Sequence, residues 1–120
     1  MIEILTDLPE GVIGAKASGT VTADDYESVL IPAVSKATEG DGKAKFLLIF
    51  GDEFEGYSAD AAMDDAKLGA HHWSDFDKIA LVSDHTVYRG LVKGFGFLMP
   101  GEVRVFPMSE LDAATDWLAS

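Results

Sequence analysis

The feature that most restricts the fold is the run Phe46–Phe50, FLLIF, with lysines before it and Gly51 after it. Five consecutive apolar residues leave no polar side to face water, so the run predicts a strand buried on both faces, at the middle of its sheet. Everything else must be arranged to cover it. Short apolar stretches at Ile2–Leu5 and Val12–Ala17, separated by Asp7, Pro9 and Gly11, predict an opening hairpin. Ile79–Val82, ending at Ser83-Asp84, predicts another buried strand, and Val103–Phe106 a last one after the break at Pro100-Gly101.

Helices are predicted between these strands. Thr22 offers a hydroxyl cap, Asp24 and Asp25 suit the positive end of the helix dipole, and Tyr26, Val29, Leu30, Ala33 and Ala37 follow at helical spacing. Pro32 lies inside this pattern and has no backbone N–H to donate, which predicts a bend or a later start. Ser58 caps a second helix to about His72, and a third runs from Thr86 to about Leu98. Ser109, with Asp112 three residues on, caps the last, which presents Leu111, Ala114, Trp117 and Leu118. The order β-β-α-β-α-β-α-β-α predicts an α/β domain over residues 1–120. Its mixed, mostly parallel sheet has about five strands, with about four helices and right-handed crossovers.

Composition excludes several functions. The absence of cysteine removes disulfides, thiol nucleophiles and thiolate metal sites, and suits a reducing compartment. With nine basic residues and a net charge of -12, the chain lacks what nucleic-acid affinity requires, the neutralisation of phosphates by lysine and arginine. The first residues carry acidic groups where a signal peptide carries basic ones. No apolar run approaches the roughly 20 residues of a membrane-spanning helix, so the expected location is cytoplasmic, with any membrane contact peripheral.

TADDYESVLIP, FEGYSADAAMDDAKLG, HHWSDFDKIALVSDH and FGFLMPGEVRVFP together make the chain resemble the SpoIIAA-like family, a bacterial branch of the STAS domains named for an anti-sigma-factor antagonist. The likeness covers essentially the whole chain in order. It implies a STAS-type α/β domain without enzymatic activity, in a family suspected of holding hydrophobic ligands or touching membranes. It also implies a comparison at Ser58. In true antagonists a serine after the central strand is phosphorylated, within an Asp-Ser-Ser-Gly-like loop; here the same place reads FGDEFEGYSADA, without the tandem serine or the glycine after it. Asp52, Glu53, Glu55 and Asp60 would repel a phosphoryl group, so Ser58 is read first as a helix cap.

The candidate sites cluster on the second and third helices. At about 100° per residue, Val87, Tyr88, Leu91, Val92, Phe95, Leu98 and Met99 share a core-facing arc. Gly90 and Gly94 form a bare strip beside it, with Phe97 at its edge and Arg89 and Lys93 on the far side. Each glycine costs a helix about 1 kcal/mol against alanine, which implies that something approaches the backbone closely. Two readings stand: another helix packed tightly there, or a cleft for an acyl or other apolar ligand, with Arg89 and Lys93 meeting anionic head groups. The second helix has an inward arc of mostly small residues, Ala59, Ala62, Met63, Ala66, Gly69, Ala70 and Trp73, so it is either a weakly held lid or a helix packed close on the sheet.

His71-His72 with Asp75, and Asp84-His85, carry the hints of metal or acid–base chemistry. Adjacent helical histidines point about 100° apart and do not share a metal as an i, i+4 pair does. His85, at the carboxyl end of a strand, is either a pocket residue or a loop histidine capping the third helix. The acidic residues from Asp52 to Asp65 miss the spacing of a calcium loop and read as a solvated face or an attraction for a basic partner. No catalytic, metal or cofactor site is expected. The expected site is ligand-binding, with Tyr57, Met63, Trp73, Phe95, Phe97 and Met99 giving apolar contact to a hydrophobic small molecule or lipid, and His85 or Arg89 meeting its polar head. The alternative is a protein-interaction switch acting through Ser58, and a neighbouring chain covering the apolar third-helix face, as in a homodimer, is left open.

Overall fold

The computed structural model describes residues 1–9, 11–37, 44–61, 63–64, 76–84, 90 and 102–120. Five strands, β1 (Ile2–Leu5), β2 (Val12–Val21), β3 (Ala44–Tyr57), β4 (Phe76–Ser83) and β5 (Glu102–Phe106), form one sheet in sequence order. β1 and β2 make the antiparallel hairpin, with Ile2 opposite Ala17 and Leu5 opposite Gly14; the other pairs are parallel. The FLLIF run lies at the centre, and its alternate residues serve opposite faces. Phe46 and Phe50 join one buried cluster, Leu47 and Ile49 another.

The two clusters define the layers. On the first face, Tyr26, Leu30 and Val34 of the first helical segment pack with Ala15, Phe46, Phe50, Phe54, Phe76 and Leu81. On the second, Ala114 and Leu118 of the C-terminal helix (Leu111–Ala119) meet Leu47, Ile49, Ala80 and Val82. Helical residues are described at 23–37, at 59–61 and 63–64, and at Leu111–Ala119. The predicted third helix lies outside the described residues except for Gly90, which is helical.

The first helical segment starts at a full capping box. The Thr22 hydroxyl accepts from the Asp25 N–H at 3.3 Å, and the Asp25 carboxylate accepts from the Thr22 N–H at 2.9 Å. After Ala23–Asp25 the helix widens to a π turn over Tyr26–Leu30, where Ile31 N–H donates to Tyr26 O, and then continues as α-helix through Ile31–Ala37. Where a bend or a later start was expected at Pro32, the helix starts at Ala23 and carries this wide turn just before the proline. A proline cannot donate to the carbonyl four residues back and its ring crowds it, so the helix loosens just before the proline instead of ending there.

Other boundaries differ from expectation. β2 continues past Ala17 to Val21, and β3 continues past Gly51 to Tyr57 through the acidic DEFEG stretch. Between the Ala17–Phe50 and Gly19–Phe54 pairs, β3 carries two residues more than β2, so Asp52 and Glu53 both turn outward while Phe50 and Phe54 stack with centroids 4.1 Å apart. Gly19 at φ +60 and Gly56 at φ +122 supply the backbone this irregular pairing requires. Ser109 does not cap the last helix. A 3-10 turn, Met108–Glu110, precedes that helix, and Asp84 Oδ1, at the end of β4, accepts from Met108 N–H at 3.0 Å. The orphan donor is met by a residue distant in sequence.

Candidate functional site

β2, β3 and β4 run parallel and end side by side, and the carboxyl ends of such strands are where open α/β sheets place ligands. Three polar residues follow those ends: Thr22, Ser58 and Asp84. Each is committed to local structure. Thr22 caps the first helical segment. Ser58 donates its N–H to Val21 O at 2.8 Å, tying the end of β3 to that of β2, and its hydroxyl accepts from Ala61 N–H at 3.1 Å. The predicted cap is therefore present, and the hydroxyl is half-buried. Asp84, named with His85 as a hint of acid–base chemistry, uses one oxygen to hold Met108.

Among the described residues, the charge around these strand ends is negative. Asp24, Asp52, Glu53, Glu55 and Asp60 are exposed. Asp25 is held below its ordinary carboxylate value, chiefly by the Thr22 backbone N–H; burial, the next influence, pushes the other way, and hydrogen bonding and attraction from the Met1 amino group, 3.2 Å away, lower it further. Among the described residues, no group of three or more His, Asp or Glu side chains is placed to hold a metal ion. None of the described helices is long and apolar enough to cross a membrane.

Of the predicted ligand-binding residues, Tyr57 is the last residue of β3, pairing with Val21. Met63 is helical, and 61% of it is exposed. That overturns its place, and that of Ala59, on an inward arc. Ala61 is the residue fully buried against the first-face cluster, while Ala59 is exposed. The phase of a helix is set by which side chain the sheet accepts, and at about 100° per residue a shift of two positions turns an inward residue outward. Trp73, His85, Arg89, Phe95, Phe97 and Met99 lie outside the described residues, as do His71, His72 and Asp75. Within the predicted glycine strip, Gly90 is described. It is exposed, and beyond its own helix and chain neighbours no described atom lies within 4 Å of where a Cβ would sit. Among the described residues, nothing packs against the bare backbone at this position.

Sequence reasoning missed one concave feature. A groove of about 480 Å³ runs between the C-terminal helix and the β1–β3 side of the second face, lined by Leu5, Leu8, Leu47, Ile49 and Leu111 and rimmed by Asp7, Asp112, Thr115 and Asp116. The sequence signal was the Asp112, Asp116 pair one helical turn apart, beside the apolar position Leu111.

Comparison with known proteins agrees with the architecture. The SpoIIAA-like family model matches residues 12–119. A crystal structure of an uncharacterized protein with a SpoIIAA-like fold from Shewanella loihica superposes with a TM-score of 0.82 at 28% identity, covering 98% of this chain and 93% of that one. No curated protein matches.

Proposed function

The chain belongs to the SpoIIAA-like family, and from that premise we propose that it is a non-enzymatic STAS-type binding module. It holds a hydrophobic or amphipathic small molecule of lipid-like character between its second and third helices, and docks reversibly on membranes from a cytoplasmic location. The observation that carries this reading is the exposed flank of Gly90, against which no described residue packs, so that its bare backbone offers space a ligand can occupy. Met63 supports it, as a large apolar side chain left in solvent at the start of the second helix. Tyr57, Trp73, Phe95, Phe97 and Met99 supply further apolar contact, and His85 or Arg89 meets the polar head. Native mass spectrometry of freshly purified protein, before and after organic denaturation, tests the reading. The expected result is a stoichiometric extra mass that denaturation removes, and that Phe97→Asp abolishes while the protein stays folded. A bare chain, or retention unchanged in Phe97→Asp, refutes it.

A second reading rests on Ser58 at the first turn of a helix directly after the central strand, where a phosphate would meet helix N-terminal amides. It makes the protein a phospho-regulated interaction switch. Exposed Glu55 and Asp60 nearby in the chain oppose it electrostatically. Incubation with a kinase fraction from the same cell, followed by intact-mass analysis, decides this reading. An unmodified Ser58, with the same partners bound by Ser58→Asp, removes it.

A further inference from the structure

The second face of the sheet is wider than the helix that lies on it. Four strand spacings put β1 and β5 about 19 Å apart, whereas a helix with its side chains is about 10 Å across. The C-terminal helix rests on β3 and β4, which leaves the β1 side of this face as the groove beside Leu111. Its floor is apolar, with Leu47 and Ile49 at the bottom and Leu5 and Leu8 along one side. Its rim is acidic. Asp112 and Asp116 stand one turn apart on the helix and Asp7 faces them from the loop after β1; all three are exposed. Among the described residues the ion pair is that of Met1 with Asp25, so these carboxylates face one opening without a cation between them.

We propose that this groove docks a basic amphipathic segment of a partner protein. An apolar side chain of the partner sits on Leu5, Leu8 and Leu111, and flanking lysine or arginine groups meet Asp7, Asp112 and Asp116. Charge complementarity selects this occupant. An anionic membrane surface would meet three carboxylates, and a second copy would bring another chain of net charge -12. The groove is shallow and open along its length, which suits side chains presented from a peptide backbone better than a small molecule that must be enclosed. It lies on the face opposite the first helical segment and Ala61, so it is separate from the site proposed above.

The probe is a synthetic peptide of about 12 residues, roughly three helical turns, with leucines on one face and lysine and arginine beside them. Its control has the leucines replaced by serine. Titrated into the isotopically labelled protein, the leucine peptide is expected to shift the amide signals of Leu5, Leu8, Ile49, Leu111 and Thr115 in a saturable manner, and the serine peptide to bind at least about tenfold more weakly. The double variant Asp112→Asn, Asp116→Asn, checked for an unchanged circular dichroism spectrum, is expected to lose about tenfold in affinity and much of the salt dependence. Equal binding of the two peptides, shifts centred on Asp52–Glu55, or affinity unaffected by the double variant overturns the proposal. So does sedimentation showing that the unliganded protein dimerises with the same groove signals shifted.

Discussion

The two faces of the sheet bury their residues differently. One is aromatic: Phe46, Phe50, Phe54 and Phe76, with the Phe46 and Phe76 rings edge-on at 5.6 Å, under Tyr26, Leu30 and Val34. The other is aliphatic and small: Leu47, Ile49, Ala80 and Val82 beneath Ala114 and Leu118. The β2–β3 crossover carries the first helical segment to the aromatic face, whereas among the described residues the second face receives its helix only after β5 is complete. Large rings bury more area and suit a thick cover; small side chains let one short helix sit close. The first face is thus the sturdier half of the core, and the second is the half with a flank left open.

The sharpest attack on this comparison is truncation on each side of the same strand. Phe50→Ala should cost about 3–5 kcal/mol and Leu47→Ala about 2–3, measured by urea unfolding. Equal losses would mean that the faces are equivalent. Next in size is Gly56→Ala, whose φ of +122 forbids a side chain without strain. It should cost about 1–3 kcal/mol and disturb the Phe50–Phe54 stack, seen as lost near-ultraviolet dichroism.

Asp25→Ala removes half of the capping box and the Met1 ion pair from the aromatic side, for about 1–2 kcal/mol at neutral pH. Because folding lowers the Asp25 value, its contribution is present above about pH 4, the unfolded carboxylate range, and is lost as pH falls through the lower folded value. The gap between wild type and variant should therefore close on acidification, and a gap that widens would contradict the assignment. The smallest expected effect is on the second face. Lys78 Nζ donates to Trp117 O, Ser120 O and Ser120 Oγ, each at 3.0 Å, and lies 5.2 Å from the Trp117 ring centroid. Lys78→Met should cost about 0.5–1 kcal/mol, with the loss appearing first as fraying of the C-terminal helix in amide exchange.

What could be read from the sequence was whatever depended on neighbours in the chain. FLLIF announced the central strand because no amphipathic surface element tolerates five apolar residues together, and Thr22 with Asp25 carried its own capping partner three residues away. DEFEG did not read as strand. Its charges suggested a loop, and their compatibility with pairing depends on a bulge that turns Asp52 and Glu53 outward together. Ser109 misled because the acceptor that organises that turn, Asp84, is brought there only by the fold. Ser58 was legible as a cap, but the inward arc of Ala59 and Met63 was not, since the sheet chose Ala61. The groove beside Leu111 had no pattern of its own; it is the width of the sheet left over when one helix has been placed.

Trp117 has two cations over its ring, Lys78 and, at 4.8 Å from the centroid, Arg104, with Phe106 6.0 Å away. An indole excited by light moves electron density across its ring, and fixed positive charges alter the energy of that state according to where they stand. The protein therefore carries its own optical gauge of helix docking. With Trp73→Phe removing the other indole, the emission of a single native residue would report, without any attached dye, whether the C-terminal helix is seated, slipping or displaced.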